Sequence, residues 1–243
     1  MMGISTKPKI SVLTPEELLG PLNDVEKKYA PLKLFASGPM EIPVPRPRLA
    51  IIGSRKASGK SLDVAGEIAK TLVKKRVVII SGLAEGIDTA AHRAAIESGG
   101  RTIAVLGTPL DRVYPQENME LQQEIMRDHL AISQFPIRYP IEPGNFVMRN
   151  RTMALIANAS VIVEAGETSG SLHQGWEALR LGRPLFIWTS IVNNRSFKWP
   201  GEMIRHGALE LKDPEEILQV LPSSEKILIK IARLLSIALV KCR

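Results

Sequence analysis

Short apolar runs alternate along the chain with stretches in which apolar residues return every three or four positions. The runs at 49–53, 77–80, 102–106, 130–133, 160–164 and 184–188 are apolar at consecutive positions and rich in Val and Ile. Strands have this pattern when a parallel sheet buries both of their faces. Between them, Leu62, Ala65, Ala69, Leu72 and Val73 oppose Lys60, Asp63, Glu67, Lys70 and Lys74 on a helical projection. Ile87, Ala90, Ala91, Ala94 and Ala95 form a second such face, which Gly99 and Gly100 end. The stretch Ser81–Pro115 packs a loop, a helix, a strand and another loop into 35 residues. A strand, helix and strand joined so closely make a right-handed crossover in a parallel sheet. Repeated through six strands, the pattern predicts an α/β fold, a doubly wound, mostly parallel Rossmann-like sheet with helices on both faces. Ligands of such sheets bind where loops leave the C-terminal ends of the strands.

Outside this region the pattern changes. Thr14-Pro15-Glu16-Glu17 supplies a capping hydroxyl, a proline at the first helical position and a glutamate at the third, which predicts a short peripheral helix. Gly38–Pro47 is rich in proline and is expected to stay out of the interior. Asp213-Pro214-Glu215-Glu216 predicts another capped helix, and Ser223–Val240 a basic amphipathic one with Ile227, Leu228, Ile231, Leu234 and Leu235 on one face. The expected organisation is an N-terminal extension over 1–47, a Rossmann-type domain over 48–212 and a C-terminal helical segment over 213–243.

Composition narrows the partner. Among 243 residues, 44% are hydrophobic and 23% charged, as in an ordinary globular protein, but 32 Lys and Arg against 25 Asp and Glu leave a net charge of +7. A pI near 9.6 favours an anionic ligand without naming it, and a merely basic surface reads equally well from charge alone. The single cysteine, Cys242, excludes disulfide frameworks and thiolate clusters and suits a reducing cytoplasm. No leader-like apolar segment opens the chain and no run approaches 18 apolar residues, so neither secretion nor a membrane span is expected.

The loops carry the candidate chemistry. Gly53-Ser54-Arg55-Lys56-Ala57-Ser58-Gly59 follows the first of the six strands and does not match G-x-G-x-x-G, so a dinucleotide site has little support. It reads instead as an anion loop, with backbone N–H groups of the next helix and Arg55 on a phosphate, or as a tight turn with a solvated arginine. Ser169-Gly170-Ser171 before another helix reads as a second cradle, or as a serine cap above a packed helix. Residues 135–151 hold three prolines, three aromatics and three arginines and read as one long functional loop. There Arg138, Arg149 and Arg151 suit phosphates, while Tyr139 and Phe146 suit stacked bases; Phe135 reads better as a packing anchor. Asp88 and His92 stand four apart on one helix face, where structural hydrogen bonds read better than a proton relay or half a metal site. The other histidines are isolated, and neither a catalytic triad nor metal-ligand spacing is visible.

GSR at 53–55, SGLAEGID at 81–88, AAH at 90–92, AVLG and LDRVYPQEN within 104–118 and RNR at 149–151 follow one another as in the DprA/Smf family of DNA-processing proteins. The chain resembles that family from about Leu32 to Phe186. After Phe186 it departs from the family's proline-glycine exit, and the loop through Trp199 and Pro200 is its own. The resemblance implies nucleic-acid or phosphate contacts at Gly53, Ser54, Arg55, Lys56, Gly82, Gly86, Gly107, Asn145, Phe146, Arg149, Asn150, Arg151, Ser169, Gly170 and Ser171. It implies no catalytic residue, metal or cofactor. The implied activity is protection of single-stranded DNA and help in loading a RecA-type recombinase, as a homodimer, in recombination or natural transformation. A nucleotide-sensing domain remains a second reading. Phosphoribohydrolases of the LOG type, with a related sheet, place a catalytic glutamate where this chain has His173-Gln174, which disfavours their chemistry.

Overall fold

A computed structural model describes residues 9–222 of the protein, and the expected helix over Ser223–Val240 lies outside the described residues. The strands are β1 (Ser11–Leu13), β2 (Leu34–Ser37), β3 (Arg48–Ile52), β4 (Val78–Ser81), β5 (Thr102–Leu106), β6 (Leu130–Ser133), β7 (Ala159–Ile162), β8 (Leu185–Trp188) and β9 (Leu209–Leu211). They form one sheet in the order β1-β2-β6-β5-β4-β3-β7-β8-β9. From β3 to β9 all neighbours run parallel; β2 lies antiparallel on β6, and β1 on β2. The chain winds outward from β3 through β4, β5 and β6, then returns to lay β7, β8 and β9 on the other side of β3. The winding therefore reverses between β3 and β7, the place where doubly wound sheets bind ligands.

Consecutive apolar residues make this possible, because alternate side chains serve opposite layers. Leu49 and Ile51 pack with Ala65, Ile68, Ala69 and Leu72 of α3 (Gly59–Val73) and with Ile87, Ala91 and Ala95 of α4 (Ile87–Glu97). Ala50 and Ile52 face the opposite layer. That layer holds Leu18 and Leu19 of α1 (Pro15–Leu19), Met153 and Ile156 of α6 (Pro143–Ile156) and Met203 of α9 (Trp199–Arg205). The same layer takes in Leu172 and Leu179 of α7 (Gly170–Arg180) as partly buried neighbours. The remaining helices are α2 (Asp24–Tyr29), α5 (Met119–Asp128) and α8 (Thr189–Val192). Each Leu or Ile taken fully from water in these layers contributes about 1.5–3 kcal/mol.

The expected capping box is present at α1, where Thr14 Oγ1 accepts from Glu17 N at 3.2 Å and Glu17 Oε2 accepts from Thr14 N at 2.7 Å. Four other features depart from the pattern-based reading. The proline-rich segment is irregular yet not excluded from the interior: Met40 and Val44 are buried with α1, and Val44 N donates to Leu18 O at 2.9 Å. Arg48 secures that segment, giving its guanidinium to Ile156 O and Val44 O, and burial beside Arg46 and Arg183 pushes its pKa down to about 9. With β1 and β2 in the common sheet, the 47/48 boundary falls between strands of one layer. Trp199 and Pro200 open α9 rather than a loop, with Trp199 buried against the core. After Asp213 the chain forms a 3-10 turn, Pro214–Gln219, whose Ile217 packs in the α3 layer. Residues 135–151 are not one loop either, because α6 begins at Pro143. Pro136 and Pro140 break the chain, whereas Pro143 sits in the first helical turn, where a missing N–H costs no hydrogen bond.

Candidate nucleic-acid interface

The loops after β3, β4 and β7 meet under the first turns of α6 and enclose a cleft of about 450 Å³ at the reversal of strand order. One wall is the N-terminus of α7. Ser169 is its cap, accepting from Ser171 N at 3.4 Å, and the two hydroxyl oxygens lie 2.6 Å apart. Above Gly170 the space is open, so the positive end of the helix dipole faces a volume that suits an anion. Arg55 and Lys56 stand exposed on the opposite rim.

The first expected cradle, the Gly53–Gly59 loop at the start of α3, is already occupied. Glu164, at the end of β7, accepts from Ser58 N at 3.2 Å and from Ser58 Oγ at 2.8 Å. Partial burial alone would raise its pKa, but hydrogen bonds from Ser61 and Ser58 outweigh that and lower it. A carboxylate held there repels a phosphate. Anion attraction therefore falls to α7, Arg55 and Lys56.

Helix α6 brings Phe146, Arg149, Asn150 and Met153 onto the cleft face, at helical spacing. Phe146 is half-buried, its ring 5.2 Å from that of Tyr114 and tilted by 50°, with the Arg55 guanidinium 5.6 Å above its centroid. Arg149, expected on an exposed loop, is 5% exposed instead. Its Nη1 donates to Gly82 O and, at 3.0 Å, to Val105 O, clamping the ends of β4 and β5 together. Asp88 lies in the same buried region and accepts from Gly82 N at 3.1 Å and Ala84 N at 3.3 Å. Burial raises the pKa of Asp88 despite the attraction of Arg149. The RNR triplet thus divides three ways. Arg149 braces, Asn150 ties α6 to α7 by donating to Gly170 O at 3.0 Å, and Arg151 turns away to pair with Glu177 at 3.3 Å.

Several glycines expected to touch a ligand are spacers between protein groups. A Cβ on Gly82 would collide with Arg149, one on Gly107 would lie 2.5 Å from the Phe146 ring, and one on Gly53 2.5 Å from Ile87. Gly86 lets the β4–α4 loop pass the carbonyl of Ser54, which accepts from Ile87 N at 3.3 Å. Asn145 holds the preceding loop, donating to Pro140 O at 2.8 Å. Of the expected contacts, Gly53, Ser54, Arg55, Lys56, Phe146, Arg149, Asn150, Ser169, Gly170 and Ser171 line one cleft together, whereas Gly82, Gly86, Gly107, Asn145 and Arg151 do not line it. Asp88 and His92 do not bond to each other; His92 Nδ1 meets Thr102 Oγ1 at 2.7 Å, a structural role. Sequence reasoning passed over Tyr114, Glu164 and Gln174. Tyr114 stood inside a motif already singled out, but nothing local to it signals a partner 32 positions away.

The chain is thus a Rossmann-type α/β protein with an open helix end, rim cations and an aromatic pair beside the switch point of its sheet. The sequence profile of the family described as DNA recombination-mediator protein A matches residues 13–222, and the chain belongs to that family. It is 32% identical over 192 residues to DNA processing protein DprA of Bacillus subtilis, covering 79% of this chain and 65% of the relative. Its coverage of other relatives is 69% for DprA of Streptococcus pneumoniae and 49% for the protein from Mycobacterium tuberculosis. The chain thus spans about half to two thirds of these relatives' length. The X-ray structure of DprA from S. pneumoniae matches with a TM-score of 0.74 at 30% identity, over 88% of this chain and 75% of that one. DNA processing protein A from Helicobacter pylori, whose structure was described for its single-stranded DNA binding mode, matches with a TM-score of 0.70 at 25% identity, over 87% and 94%. The family and the fold support a role in DNA processing.

Proposed function

We propose that this protein binds single-stranded DNA across the switch-point cleft, as a binding protein rather than an enzyme. The observation that carries the reading is the convergence, in one cleft, of the α7 N-terminus, Arg55 and Lys56 with Phe146, whose ring packs on Tyr114 at the cleft's side. Phosphate cations beside aromatic platforms are the usual means of holding single strands without reading their sequence. The relative from H. pylori, described for single-stranded DNA binding, supports it. Arg55 rests on the Phe146 ring, a contact of about 0.5–1 kcal/mol at an exposed site. A base that stacks on Phe146 displaces it toward a phosphate. The wider role proposed is protection of single strands and help in loading a RecA-type recombinase, in the cytoplasm and as a homodimer, with the exposed Trp176 on α7 at a candidate contact surface.

Equilibrium titration with single-stranded oligonucleotide, duplex and mononucleotide at two salt concentrations tests this. Single-stranded DNA is expected to bind most tightly, with about 0.7 of log–log salt slope per phosphate neutralised, and Arg55→Ala to lose one such increment. Preference for the mononucleotide would favour the nucleotide-sensing reading. Phe146→Ala is expected to weaken oligonucleotide binding about ten-fold at unchanged salt slope, because stacking is worth roughly 1–3 kcal/mol per base. Phe135, 2% exposed, is the control: its alanine variant should lose about 3–5 kcal/mol of stability, well beyond the loss at Phe146. A larger fall in melting temperature for Phe146→Ala than for Phe135→Ala, with normal affinity, would remove the stacking role.

A further inference from the structure

Gln174 lies in the second turn of α7, 0% exposed, and lines the cleft beside Ile52 and Met153. Among the described residues its amide has one hydrogen bond, from Nε2 to Ser160 Oγ at 3.4 Å, and Oε1 has none. The Ser160 hydroxyl accepts from an amide NH₂ or donates to an amide oxygen equally well, so the amide turned end for end keeps that bond. In either orientation one end of a buried amide is left without a protein partner. Such a group is costly unless a ligand or water completes it.

The chemistry around Gln174 decides what completes it. Of the groups that attract anions, Arg55 and Lys56 stand on the rim and Ser169 to Ser171 at the end of α7, one turn before Gln174. Next to Ile52 and Met153 a phosphate would exchange its hydration for a single amide, a poor trade in an apolar setting. A nucleobase fits better, because it presents an apolar ring and a hydrogen-bonding edge together. We propose that Gln174 contacts the edge of a base in the cleft, and that its amide, turning over against Ser160, meets either a base carbonyl or a base amino group. The contact then holds a base without selecting which one. This inference rests on the single-strand reading of the cleft.

The test uses the full chain, the variants Gln174→Leu and Gln174→Met, and oligo-dT, oligo-dA and oligo-dC of about 16 nucleotides, the upper size of a single-strand site. Both variants are expected to bind all three strands about three- to ten-fold more weakly, with a melting temperature close to the wild type, since a buried unpaired amide end has gone while the buried Ser160 hydroxyl loses its partner. On a strand of the same length made of abasic sites, wild type and variants should bind alike. Wild-type affinity for the base-bearing strands retained in both variants overturns the inference alone. A deficit that persists on the abasic strand assigns Gln174 to the sugar-phosphate backbone and overturns it as well. Loss confined to one homopolymer overturns the turning amide. Absence of single-strand binding by the wild type removes the single-strand reading, and this inference with it.

Discussion

Replacing Arg149 by alanine is expected to destabilise the protein by about 3–5 kcal/mol, the cost of removing one partner from a buried charged arrangement. Two carbonyls, of Gly82 and Val105, lose their donor, and the Asp88 carboxyl loses the guanidinium that offsets its burial. In a domain of this size that corresponds to a fall of roughly 6–20 °C in Tm. Arg149→Lys should rescue little, because a single ammonium does not reach two carbonyls with a planar fork. Adding Asp88→Asn to Arg149→Ala should recover part of the loss, since it removes the uncompensated carboxyl, and the double-mutant cycle measures the coupling. Oligonucleotide binding separates bracing from phosphate contact. The folded fraction of Arg149→Ala should keep the wild-type salt slope, whereas loss of a phosphate ligand would lower it by about 0.7. A flattened slope at unchanged Tm would return Arg149 to the ligand.

Acidification is expected to destabilise the protein through His92. The hydroxyl proton of Thr102 is committed to Ile79 O at 2.9 Å, so Thr102 Oγ1 accepts from His92 Nδ1–H, and Nε2 carries the lone pair. Among the described residues that buried Nε2 has no partner within hydrogen-bond distance. Burial first, and then the nearby His129, push the pKa of His92 down to about 3. In the unfolded chain an ordinary histidine titrates near 6.5, so between these values the unfolded state binds the extra proton. The stability that neutral His92 allows is complete above about pH 6.5 and is lost progressively as pH falls toward 3, several kcal/mol over the window. Urea unfolding at steps across that range should show a steeper acid loss for the wild type than for His92→Gln, which has no imidazole to protonate. Equal pH slopes in the two proteins would show that His92 takes no part.

The six parallel strands and the two helices over Leu49 and Ile51 were legible in the chain, and for a common reason. Residues such as Leu49, Ala50, Ile51 and Ile52 are apolar at every position because both layers need them, and no local alternative hides that pattern. The capping box at Thr14 and the Ser169 cap are equally local, each complete within a few residues. Residues 135–151 were misread because proline, glycine and asparagine suggest a loop at each position, whereas the register of Phe146, Arg149 and Asn150 on α6 becomes visible only once Pro143 is seen to open a helix.

What the sequence by itself determined is therefore the six central parallel strands, their double winding and the strand ends at which the cleft forms. The tertiary structure decided which residues use that cleft. Arg149 and Arg151 are two apart and alike in sequence, yet one lies under the carbonyls of Gly82 and Val105 and the other pairs with Glu177 on the outside of α6. Glu164 fills the end of α3 from 106 positions away, leaving α7 as the open helix end. A residue's chemical type is set by the sequence, but whether its charge faces a ligand, a carbonyl or water depends on neighbours that only folding brings together.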